Sequence, residues 1–150
     1  FWNNISWLPK LELPAGDRHI IVSVHYYEPH RFTHQGATWG DAEWRKLSGI
    51  RWGSADDYSK LEKDFDAAQA WAKKQDRPLF LGEFGAYDKA PLEDRVKYTA
   101  AVARAAEKRG WAWTYWQFDT NFLVYDIDED RWKEPIYRAL VPKASQSLPR

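Results

Sequence analysis

Three short apolar runs separated by long helical patterns restrict this chain to a narrow set of architectures. Ile20–His25, a run from Leu79 to Glu83 opened by Pro78, and Trp111–Gln117 read as strands. Between the first two, Tyr58, Leu61, Phe65, Ala68 and Trp71 recur at helical spacing within Asp56–Gln75. Asp56 and Asp57 stand at its start, with Lys73 and Lys74 at its end, as the helix dipole favours. Pro91 in a first turn and Gly110 at the far end bound a second helix, and Glu134–Leu140 reads as a short closing one. A strand–helix–strand order pairs the strands in parallel through right-handed crossovers. The expectation is an α/β fold with one parallel sheet, a long loop over Glu28–Gly53 and no internal repeat.

The run Leu79–Gly85 (LFLGEFG) carries the main functional signal. A strand buried on both faces accommodates a charge only at its C-terminal rim, where the backbone opens to solvent. Glu83 stands there, and Gly82 and Gly85 remove bulk beside it, so another molecule can approach closely. The other two strands end in aromatic, polar clusters, IIVSVHYY at 20–27 and WAWTYWQF at 111–118. Three parallel strands presenting such groups at one end make an active-site rim, and a lone carboxylate points to proton transfer or nucleophilic attack.

Side-chain alternation sharpens the reading. In the third strand Trp111, Trp113 and Tyr115 share one face, while Ala112, Thr114 and Trp116 share the other. Small residues suit the inside of a barrel, which puts Trp116 at its mouth. The same alternation places His25 and Tyr27 together. An apolar interior wall of Ile21, Leu79, Leu81, Ala112 and Thr114 is expected, flanked by two free strand edges.

Composition sets the limits. The chain's 150 residues support one domain, 1–150, with a genuine core, yet fall short of the roughly 250 typical of a complete eight-fold barrel. The 22 basic and 22 acidic residues balance, so neither nucleic acid nor an anionic membrane is an expected partner. No apolar run is long enough to span a bilayer, no signal peptide is seen, and the lack of cysteine excludes disulfides and thiol chemistry. A first residue of Phe, with no methionine anywhere, suggests a processed or excised piece. The polar tail 143–150 is expected to fray. Ten tryptophans exceed what a core of this size needs and suggest flat surfaces for a ligand to stack on.

Four motifs in order, HYYEP at 25–29, FTHQGATW at 32–39, GEFG at 82–85 and WTYW at 113–116, resemble the C-terminal half of a glycoside hydrolase family 5 cellulase. The resemblance runs from about the loop after the fifth strand, to which Phe1–Leu13 is similar, to the last helix. It implies strands 6 to 8 of a TIM-type (β/α)8 barrel, belonging to a secreted or periplasmic endo-β-1,4-glucanase that acts with retention and needs no cofactor. It also implies that Glu83 is the nucleophile, that Tyr27 hydrogen-bonds it, that His25 contacts the sugar and that Trp116 stacks beneath it. Trp39, which closes the second motif, is the further candidate for stacking on substrate.

The chain departs from the family in one respect. The family's acid/base glutamate lies in an Asn-Glu motif, and this sequence has no such dipeptide. Glu28 is the tempting substitute, but it belongs to a different strand end. Retaining hydrolysis needs two carboxyl groups roughly 5–5.5 Å apart, so one carboxylate is half an active site. The isolated chain is therefore expected to be inactive, and to associate with the N-terminal half of its barrel or with itself.

Plainer readings stand beside these. His30 and His34 have a spacing that suits a metal pair, but no appropriate third ligand, so no metal site is expected. Trp39, Trp44 and Trp52 could simply pack the long loop. Asp126–Asp130 reads as a solvated turn, with Asp126 and Asp128 able at most to hold a cation weakly. A non-catalytic carbohydrate-binding module would account for the tryptophans, but such modules are usually β-sandwiches, which two long helices argue against. An inactive half-barrel that serves as an assembly unit is the other alternative.

Overall fold

A computed structural model describes residues 4–142; the tail expected to fray, 143–150, lies outside them. Helix α2 (Ala55–Gln75) begins one residue earlier than its charge pattern suggests, because Ser54 caps it. The Ser54 hydroxyl accepts from the Asp57 amide, and the Asp57 carboxylate accepts from the Ser54 amide in return. Its buried stripe is Leu61, Phe65, Ala68 and Ala72, so the stripe drifts past Trp71 at its C-terminal end, and Tyr58 lies outside it, edge-on to Trp52. Helix α3 (Leu92–Lys108) buries Tyr98, Val102, Ala103 and Ala106. Pro91 is its N-cap rather than a residue of its first turn, and Gly110 follows the helix at φ +74°, where a side chain would be strained.

Strands β1 (Val22–Tyr26), β2 (Leu79–Phe84) and β3 (Ala112–Trp113) form one parallel sheet in that order. The regular part of β3 is shorter than expected, but bonds from Thr114 N to Leu81 O and from Trp116 N to Phe84 O carry the pairing on to the rim. The strands are not buried on both faces. Val22, Val24 and Tyr26 of β1, and Leu79, Leu81 and Phe84 of β2, face the helices, where Tyr26, Phe65, Tyr98 and Trp111 anchor the core. On the other face Ile21 is 65% exposed, and Ala112 and Thr114 are exposed too. Leu79 and Leu81, expected on this open wall, are 5% and 0% exposed in the core instead. Alternation gives the wall Phe80 and Gly82 in their place.

One irregularity sets up the rim. Val24 pairs with Leu81, but His25 pairs with Glu83, so Gly82 is an extra residue in β2. This β-bulge turns Glu83 onto the open face beside His25, where strict alternation would have pointed it into the core. Gly82 is needed there, since a Cβ would run into the Ser23 hydroxyl.

The loop Glu28–Gly53 contains a short helix, α1 (His30–Thr33), and a 3-10 turn at Trp44–Lys46. After β3 the chain forms a hairpin of β4 (Tyr125–Asp126) and β5 (Arg131–Trp132), and α4 (Glu134–Leu140) then packs on α3. The acidic run is thus the hairpin turn, and Asp126 pairs with Lys133 at 2.6 Å instead of facing a cation with Asp128. Among the described residues no helix is long and apolar enough to cross a membrane.

Candidate active site

The ends of β1 and β2 bring three predicted residues together. Tyr27 Oη donates to Glu83 Oε2 at 2.9 Å, and His25 Nδ1 lies 3.3 Å from the same oxygen. Oε1 of Glu83 has no hydrogen-bond partner among the described residues. Burial, then the negative charge of Glu83, pushes the Tyr27 hydroxyl well above its ordinary range, so it stays protonated and remains a donor. Its backbone is fixed as well, because the Thr33 hydroxyl donates to the Tyr27 carbonyl at 2.6 Å.

Trp116, 41% exposed, lines the same cleft as Glu83. Gly85 lets it come so near: a Cβ at Gly85 would collide with the Trp116 carbonyl and press on the Phe122 ring. Trp39 also lines the cleft, edge-on to Tyr87 at 4.7 Å. The three tryptophans of the long loop therefore separate. Trp39 and Trp44 line the cleft, whereas Trp52 is buried against Phe32 and Tyr98. Sequence reasoning missed Asn4, Trp44 and Phe122 as lining residues. Nothing in the local pattern marks Asn4 or Phe122, since each arrives from a loop distant in sequence.

The two loop histidines are not arranged as a metal pair. Their rings stack at 5.2 Å, and His34 further packs on Trp44 at 4.5 Å. Burial, assisted by the charge of His30, lowers His34 to about 4, so it is neutral at ordinary pH. Among the described residues no group of three or more His, Cys, Asp or Glu is placed to hold a metal. Glu28 belongs to His30, 3.2 Å away, and to Asn4, which donates to it at 3.1 Å. These partners outweigh burial and lower its carboxyl to about 2.

A family model described as cellulase (glycosyl hydrolase family 5) matches residues 2–122, most of the chain. The chain belongs to that family. Endoglucanase H of Acetivibrio thermocellus is 28% identical over 93% of this chain, and endoglucanase B of Clostridium cellulovorans 33% over 75%. Thermotoga maritima Cel5A, solved with cellobiose and with mannotriose, superposes with a TM-score of 0.90 at 45% identity over 93% of this chain. The chain spans 15% and 23% of the two curated relatives and 45% of the Cel5A chain. Its sheet and helices are thus part of a family 5 (β/α)8 barrel, and the open face is a section of the barrel's inner wall.

Proposed function

We propose that this chain carries the nucleophile's side of the active site of a retaining endo-β-1,4-glucanase, with Glu83 as the attacking carboxylate. The observation behind this reading is the unequal use of its two oxygens. Oε2 accepts from Tyr27 and lies 3.3 Å from His25, while among the described residues Oε1 has no hydrogen-bond partner. A carboxylate pinned through one oxygen can attack an anomeric carbon through the other without turning. Trp116 offers a flat face to the sugar at the cleavage point, Trp39 a second one farther out, and His25 a polar contact beside the nucleophile.

Retention also requires a protonated carboxyl group near the leaving oxygen, and such acids have raised pKa values. Glu28 is lowered to about 2 and so holds no proton to give at working pH. In this reading the acid comes from the remainder of the barrel, on an Asn-Glu strand end. That remainder is the partner proposed for the open wall, with self-association through the sheet edges as the fallback for the chain alone. The substrate is a β-1,4-linked polymer, which a cell meets outside its cytoplasm.

The test is Glu83→Gln in the full-length protein, which removes charge but little shape. Glucan binding should stay within a few-fold of wild type while turnover disappears. Turnover near the wild-type rate in that variant would overturn the assignment.

A further inference from the structure

The segment after β1 holds a proton arrangement that the hydrolytic scheme leaves unused. Thr33 is fully buried, and its hydroxyl has a single proton to give. The Tyr27 carbonyl, 2.6 Å away, can only accept, so it takes that proton. The same hydroxyl oxygen lies 2.9 Å from Nδ1 of His34. With the Thr33 proton committed, this second contact is a hydrogen bond only if Nδ1 carries the hydrogen. A neutral imidazole has one N–H, so Nε2 is left with a lone pair. Nε2 has no protein partner among the described residues and is not one of the sealed polar atoms, and the ring lines the cleft against the Tyr27 edge.

Building on the reading of this cleft as a β-glucan site, we propose that Thr33 is a positioning residue that fixes the tautomer of His34. His34 thereby presents Nε2 to the cleft as a pure acceptor that selects a sugar hydroxyl. A hydroxyl donates to this lone pair. An O-methyl ether, a fluorine or an ester carbonyl in its place brings a second acceptor against it. Sites built to bond a hydroxyl reject analogues that lack it far more strongly than they sense a change in size. The cleft should therefore discriminate against glucans substituted at the hydroxyl that meets His34. The same Thr33 hydroxyl holds the Tyr27 backbone, so substrate selection and the aim of Tyr27 at Glu83 share one anchor.

The direct test is a long-range proton–nitrogen correlation spectrum of the full-length protein with ¹⁵N-labelled histidine, at neutral pH and without substrate. The His34 signals, assigned by through-bond correlation, should show Nδ1 protonated and Nε2 bare. A protonated Nε2 overturns the proposal, and does so without reference to activity. Thr33→Val should mix the tautomers and raise KM by roughly tenfold, the size of one lost hydrogen bond. Thr33→Ser should preserve both tautomer and KM. An unchanged tautomer in Thr33→Val, or the same KM in both variants, also overturns it. If Thr33→Val does not fold, the wild-type spectrum decides alone. Absence of glucan hydrolysis by the wild-type protein would instead remove the proposed function and leave the tautomer result standing.

Discussion

Tyr27 and Glu83 meet at 2.9 Å from the ends of adjacent strands, although strict alternation along β2 would point the carboxylate away. The extra residue at Gly82 is what brings them together. A hydrogen bond to a charged group contributes about 1.5–3 kcal/mol, roughly 10–100-fold in rate. Tyr27→Phe in the full-length protein should lower kcat by that factor on soluble glucan and change KM much less. Unaltered kcat would mean that Tyr27 merely packs there.

Gly85 should tolerate no side chain. A Cβ would meet the Trp116 carbonyl and the Phe122 ring, and overpacking of this kind costs about 1–3 kcal/mol. Gly85→Ala should lower the urea midpoint accordingly and weaken glucan binding as Trp116 is displaced. Gly16→Ala is the control, since its Cβ would meet nothing within 4 Å. Equal midpoints for the two variants would contradict the packing argument.

What the sequence made legible was whatever depends on local pattern. The helix periodicities located α2 and α3, and the strand-end position of Glu83 drew attention to the rim. The assignment of Leu79 and Leu81 to the wall failed because hydrophobicity does not say which face a helix covers. The bulge at Gly82 left only a glycine as a trace, and a glycine has several meanings. Asn4 and Phe122 reach the cleft from segments remote in sequence and Trp44 from the same loop as Trp39, so only the folded chain shows their convergence.

Glu28 should shape the acid limb of stability. Its folded pKa, about 2, lies below the ordinary 4.5, so the unfolded chain takes up its proton first as pH falls. Its contribution is complete above about pH 4.5 and fades as pH drops toward 2. Urea midpoints measured across that window should fall less steeply in Glu28→Gln than in wild type. Parallel curves would show that the Asn4 and His30 contacts contribute nothing.

The 150-residue chain alone should be neither active nor a well-behaved monomer. Ile21 and the rest of the open wall face water, and a lost general acid typically costs about 10²–10⁴-fold in rate. Light scattering at micromolar concentration should report association. A 17.7 kDa monomer with a cooperative melt and no dye-binding surface would contradict this, as would clear turnover by the pure chain.

Whether Glu83 attacks the sugar can be read from a trapped intermediate. A 2-fluoro glycoside with a good leaving group slows release more than attack, so a retaining enzyme accumulates a covalent ester. Mass spectrometry of the full-length protein after peptic digestion should find one sugar adduct, on the peptide containing Glu83, with inactivation proportional to labelling. An adduct on any other carboxylate, or inactivation without an adduct, would contradict the assignment of Glu83.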